Sequence, residues 1–119
     1  MPSDPRALLP LKPADLVLLL ALSEEERHGY ALAREIADRT NGLITLEPGN
    51  LYRIIRRMEE EGLVAPSSRR VASEQEDDRR RYYRLTTFGA QVAALEVQRL
   101  RSLVASKAAR ALPAVGAIA

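Results

Sequence analysis

Seven consecutive apolar residues, Leu16-Val17-Leu18-Leu19-Leu20-Ala21-Leu22, constrain this chain more than any other feature. A helix built from them is apolar on every side, so other elements must enclose most of it. The run is far short of the ~20 residues that span a bilayer. Its place is therefore the middle of a globular core. The chain has 119 residues, enough for one such core at roughly 100–200 residues per domain. Aromatic residues make up only 4%, so that core is aliphatic. Cysteine is absent and there is one histidine, which excludes disulfides, thiol chemistry and multi-histidine metal sites. No cofactor or metal is expected. The N-terminus carries Asp4, Arg6, Pro10 and Pro13 with no apolar signal segment, so the expected location is cytoplasmic, with no membrane partner.

Around the apolar run the pattern is mainly helical. Residues 1–12 read as an extended arm. Pro13 suits the first position of a helix and Asp15 its positive end. The Glu24–Glu26 run reads as an exposed link. A second helix is predicted from about His28 to Arg39, its apolar stripe formed by Tyr30, Ala33, Ile36 and Ala37. Asn41-Gly42 stops it, and Leu43–Leu46 is a short extended stretch. A third helix starts near Pro48, with Leu51, Ile55 and Met58 as its stripe and Gly62 as its stop. Leu63-Val64-Ala65 and Arg80–Leu85 read as the two strands of a hairpin with a long polar tip. Thr86 or Thr87 caps a last helix of about 25 residues, with a stripe of Ala93, Val97, Leu100, Val104 and Ala111, ended by Pro113. The expected fold is mainly α with a small β-hairpin, a winged helix-turn-helix with a long C-terminal dimerisation helix. Its expected parts are an arm (1–12), a DNA-binding domain (13–86), the dimerisation helix (87–112) and a frayed tail (113–119).

Catalysis finds no support. Carboxylates occur in runs that read as solvated faces, no serine has an imidazole nearby, and the glycines are too scattered for a phosphate loop. His28, at the start of a helix, reads as structural. Binding fares better. Net charge is only +2, yet sixteen of the eighteen cations are Arg, whose planar fork fits phosphate and guanine edges. On the third helix, Arg53, Arg56 and Arg57 follow Asn50, and no acid occurs between Pro48 and Met58. One face is held by the core and the other offers donors. The competing explanation is pairing of Arg56 with Glu60 and Arg57 with Glu61. Arg69, Arg70, Arg79, Arg80 and Arg81 flank the hairpin tip, where they would meet phosphates. Glu74, Glu76, Asp77 and Asp78 lie between them and would either neutralise the loop itself or repel DNA there.

The last helix is too long for its own domain to cover. The expected partner is the same helix of a second chain, through Val97, Leu100, Leu103 and Val104. A cleft between the first and last helices, lined by Leu18, Leu19, Val92 and Leu103, is expected to complete the dimer interface and to offer a site for a small apolar effector.

His28-Gly29-Tyr30-Ala31-Leu32-Ala33, Pro48-Gly49-Asn50-Leu51-Tyr52, Glu60-Glu61-Gly62-Leu63-Val64 and Tyr82-Tyr83-Arg84-Leu85-Thr86 with Gly89 together resemble the PadR family of transcriptional regulators. The short C-terminal part resembles its small subfamily. The resemblance implies a homodimeric winged-helix repressor that binds double-stranded DNA at a pseudo-palindromic operator. It places Asn50, Tyr52, Arg53 and Arg56 on the DNA-facing side of the recognition helix, and Tyr30 at the start of the supporting helix. Asn50 stands where the family often has a small hydroxyl residue. Some members bind flat aromatic drugs through tryptophan, which this chain lacks. The alternative reading is a winged-helix module that binds an acidic protein without reading DNA.

Overall fold

The computed structural model describes residues 4–68 and 81–118. The elements in order are α1 (Pro13–Glu24), β1 (Arg27–His28), α2 (Gly29–Arg39), α3 (Pro48–Glu60), β2 (Val64–Pro66), β3 (Tyr82–Leu85), α4 (Thr87–Val104), α5 (Lys107–Ala111) and α6 (Val115–Ile118). Leu18, Leu19 and Leu22 of α1 lie at the centre of the core, beside Leu32 and Ile36 of α2, Leu51, Ile55 and Met58 of α3, and Val92 of α4. The predicted stripe of α3 faces inward, but that of α2 does so only in part: Ile36 is buried, Ala33 is half-buried against the core, Tyr30 is 52% exposed, and the buried partner of Ile36 is Leu32, which the predicted stripe left out. Both predicted stops, Asn41-Gly42 and Gly62, have positive φ. Local caps match the residue chemistry. His28 Nδ1 accepts the Ala31 N–H at 3.2 Å, and the Thr86 hydroxyl accepts the Gly89 N–H at 2.9 Å. Thr40 ties the α2–α3 turn by accepting the Ile44 N–H at 3.0 Å while lying 2.8 Å from the Ile36 carbonyl. Among the described residues no helix is long and apolar enough to cross a membrane.

Several expectations need correction. The hairpin is part of a three-stranded antiparallel sheet in the order β1-β3-β2. Arg27 and His28, the latter expected to start the second helix, form an edge strand that pairs with Tyr83 and Tyr82. Two residues without apolar alternation give no strand signal, and the pairing comes from β3. The Glu24–Glu26 run is not a free link. Arg27 donates to the Ala21 carbonyl at 3.0 Å and pairs with Glu24 at 3.3 Å and Glu25 at 3.1 Å. Arg39 joins Glu24 to Glu35, clamping α1 to α2. Its hydrogen bond, opposed by burial and assisted by the Arg27 charge, holds the Glu35 carboxyl below its usual value. Leu43–Leu46 joins no sheet.

The N-terminal segment is not an extended arm. Pro5–Leu8 forms a 3-10 turn that packs on α4, and Leu8, Leu9 and Leu11 lie against the core. The single helix expected over 87–112 is two. α4 ends at Val104, and the Ser106 side chain accepts the Ala109 N–H at 3.2 Å, capping α5 as a separate helix. Within the tail expected beyond Pro113, Val115–Ile118 is helical. α4 also has two apolar faces instead of one. Gly89, Val92, Ala93 and Glu96 form its buried face, whereas Leu103 and Val104 are 58% and 64% exposed.

Glu96 is 1% exposed, and it accepts the Leu11 N–H at 2.8 Å and Arg99 donors at 2.5 and 3.0 Å. The Arg99 guanidinium holds the Glu96 carboxyl below its usual value; burial opposes this and the Leu11 N–H adds to it. A carboxylate with a lowered folded-state pKa adds stability above its unfolded pKa and loses it as pH falls through the folded one. Glu96→Gln is therefore expected to melt lower than wild type at neutral pH, with the gap narrowing on acidification. Thermal melts in a pH series check this, and parallel curves down to about pH 3 would contradict it.

Candidate nucleic-acid interface

Pro48 begins α3 after Glu47, whose side chain makes no cap hydrogen bond, and no acid follows in the first turn. Leu51, Ile55 and Met58 are 1%, 2% and 0% exposed. Their spacing pins α3 by one side and turns Gly49, Asn50, Arg53 and Arg56 outward, where all four are exposed. A methyl group built on Gly49 would meet nothing within 4 Å. Among the described residues Arg53 makes no ion pair. Asn50, Arg53 and Arg56 therefore form one donor-rich face opposite the buried stripe, with the geometry of a groove-entering helix.

Arg57 departs from that face. It was expected with the DNA-binding residues, but its Nη2 donates to both Asp15 oxygens at 3.0 and 2.9 Å, and its Nη1 lies 3.2 Å from Glu61. The side chain is drawn toward α1 because Asp15, 4% exposed, has to be paired. The Glu61 pairing weighed from spacing is present. The Asp15 contact spans 42 residues and was not foreseen. A signal for it existed, since Asp15 shares the inward face of α1 with Leu18, Leu19 and Leu22 at i, i+3, i+4 and i+7.

Tyr52 is half-buried between α3 and α2. Gly29 opens α2 so close to it that a Cβ there would overlap the Tyr52 hydroxyl. Tyr30 is exposed one residue further on, edge-on to His28 at 6.4 Å. His28 in turn meets Tyr82 of β3 edge-on at 5.4 Å. The start of α2 and the root of the wing are thus joined through one aromatic cluster. Arg81, which leads into β3, is exposed. Arg69, Arg70, Arg79, Arg80 and the acidic tip Ser73–Asp78 lie outside the described residues.

The expected dimer surface divides in two. Val97 and Leu100 are half-buried and Leu103 and Val104 exposed, so all four have surface to offer. Leu18, Leu19 and Val92 are each 0% exposed and belong to the protomer's own core. An effector cleft lined by those three does not exist in the protomer. The outward side of α1 is instead Leu16 and Leu20, both half-exposed. A shallow open depression of Ser23, Glu25, Glu26, Arg84 and Thr87 lies at the other end of α1. Among the described residues no group of His, Cys, Asp or Glu is placed to hold a metal ion.

Residues 18–95 match the model of the transcriptional regulator PadR-like family. An uncharacterised protein X from Lysinibacillus sphaericus is 29% identical over 75 residues, 63% of this chain and 66% of that protein, just under two thirds of its length. Among solved structures, RosR of H. salinarum is 26% identical, with 87% of this chain and 86% of that one covered and a TM-score of 0.65. A PadR family transcriptional regulator from Eggerthella lenta is 30% identical, with 76% and 77% covered and a TM-score of 0.56.

Proposed function

The chain belongs to the PadR-like family of transcriptional regulators, and on that premise we propose that it is a cytoplasmic homodimeric repressor that reads a pseudo-palindromic DNA operator. The observation that carries this reading is the exposed face of α3. Arg53, with no ion pair among the described residues, stands beside Arg56 and Asn50 opposite a buried Leu51-Ile55-Met58 stripe. Such a face supports base contacts from two symmetric helices, with half-sites about one or two helical turns apart. Tyr30, Arg81 and the arginines of the wing tip would supply phosphate contacts, which add affinity without sequence preference.

These two roles predict different variants. Arg53→Ala or Arg56→Ala should relax discrimination at one base pair, by about 1–3 kcal/mol if the contact is a bidentate one to guanine. Arg81→Ala should weaken all sequences alike and flatten the salt slope by about one unit. Binding to a randomised operator library at several salt concentrations separates them. Helix variants that lose affinity uniformly would refute base reading by α3. A wild-type protein without sequence preference would favour the alternative, a module that binds an acidic protein.

A further inference from the structure

Asp15 and Glu96 are the buried charged residues among those described, and both act on the same short stretch, residues 11–15. Glu96 holds that stretch to α4 through the Leu11 N–H. Asp15 holds it to α3 through Arg57. Arg99 braces Glu96 from its own helix, and Glu61 braces Arg57 from its own. A continuous polar connection therefore runs from α4 to α3 with only four residue steps of main chain inside it. A direct tie joins only the C-terminal end of α3 to the start of α4, where the Thr86 hydroxyl donates to the Gly62 carbonyl at 2.6 Å and the Thr86 N–H to the Leu63 carbonyl at 3.1 Å; the connection through residues 11–15 adds a second point, and two points fix an angle that one leaves free.

The choice of residues is informative. An apolar side chain at position 15 would complete the Leu18-Leu19-Leu22 stripe, and one at position 96 would complete the Gly89-Val92-Ala93 face. Apolar burial is favourable but non-directional, so such faces can slide over one another. A buried carboxylate has to be paired, and its hydrogen bonds are directional. Paired carboxylates at both ends of residues 11–15 therefore specify an angle that apolar contacts leave loose. In a two-fold dimer any tilt of α3 against α4 appears twice in the separation of the two recognition helices. Each added base pair moves a half-site by about 3.4 Å and turns it by roughly 35°.

We propose that Asp15 and Glu96 are positioning residues that set the half-site spacing the dimer accepts, by fixing the recognition helix relative to the C-terminal helix. The inference rests on the reading of the chain as a dimeric DNA reader, and the experiment separates the two. The probes are an operator selected by the wild-type protein from a randomised library, the same operator with one or two base pairs added or removed between half-sites, and an isolated half-site. Wild type prefers one spacing. Asp15→Asn and Glu96→Gln lower that preference by roughly three- to thirtyfold and leave affinity for the isolated half-site unchanged. Ile36→Ala, a core cavity on α2, an element that takes no part in these hydrogen bonds, lowers the melting temperature but keeps the spacing preference. Arg57→Lys keeps the charge, loses the fork, and gives an intermediate preference; it carries the test if Asp15→Asn fails to fold. The proposal is overturned if the carboxylate variants lose affinity equally at every spacing, as a merely destabilised protein would. It is also overturned if wild type reads half-sites with no preferred spacing, an outcome that leaves DNA reading intact. Absence of any sequence-selective DNA binding by wild type would overturn the functional reading itself.

Discussion

Replacing Leu103 and Val104 together by Arg is expected to give monomers that keep a folded winged domain and no longer bind operator DNA. Both side chains stand on the outward face of α4, 58% and 64% exposed, so the substitution leaves the protomer core untouched. Burying one such side chain contributes about 1.5–3 kcal/mol, and two-fold symmetry counts each position twice. Only part of that appears as affinity, because association also costs translational freedom and side-chain order. Even so, losing the apolar contribution and placing four guanidinium groups across the interface should weaken the dimer by over ~10³-fold. Operator binding follows, since a monomer holds a single half-site. Leu100 lies on the same expected seam, but it is half-buried, and Leu100→Arg would confound dimer loss with unfolding. Light scattering, circular dichroism and a gel shift on one preparation check the prediction. A variant that stays dimeric would move the interface elsewhere, the half-exposed Leu16 and Leu20 of α1 being the next surface to test.

Gly89→Ala should lower folding stability by about 3 kcal/mol, the upper part of the usual range for overpacking. A Cβ at Gly89 would overlap the Leu63 carbonyl oxygen and stand 2.8 Å from Cδ1 of Leu85. The obstacle is main chain, and it is already committed, since Leu63 O accepts the Thr86 N–H at 3.1 Å. Neither partner can give way without opening the junction between β2, β3 and α4. Gly29→Ala is the informative contrast. Its Cβ would meet the far end of the Tyr52 side chain, which can rotate, so the stability cost is smaller. The displaced ring belongs to α3, so if α3 reads DNA as proposed the effect is expected chiefly in DNA affinity. Gly49→Ala meets nothing within 4 Å and should leave stability unchanged. Denaturant midpoints for the three variants test the ranking, and a Gly89→Ala midpoint equal to wild type would contradict it.

What could be read from the sequence alone was whatever depends on near neighbours along the chain. Leu51, Ile55 and Met58 announce the buried side of α3 by their spacing, and that leaves Asn50, Arg53 and Arg56 outside. His28 and Thr86 sit where helix caps are needed, and each bonds the amide three residues on. These signals are local because one turn of helix brings together residues three and four apart. Even so, one local signal was overridden. Ser106 is a good cap residue, but the apolar spacing on both sides of it suggested one continuous helix.

Apart from the β2–β3 hairpin, which two short apolar stretches around a polar one announce, the tertiary structure decided what required distant partners. β1 exists because β3 pairs with it, a bond that two polar residues cannot announce. Arg57 looked like its neighbours Arg53 and Arg56, and only Asp15, 42 residues away, removes it from the donor face. Leu18, Leu19 and Val92 were assigned to a dimer interface because apolar residues carry no label saying which chain will cover them. Burial within the protomer settles that for all three. Glu96 finds the Leu11 amide 85 residues away. Periodicity shows that a side chain is on a given side of a helix, but the partner that satisfies a buried charge or covers an apolar face is chosen by packing, and packing is a property of the whole chain.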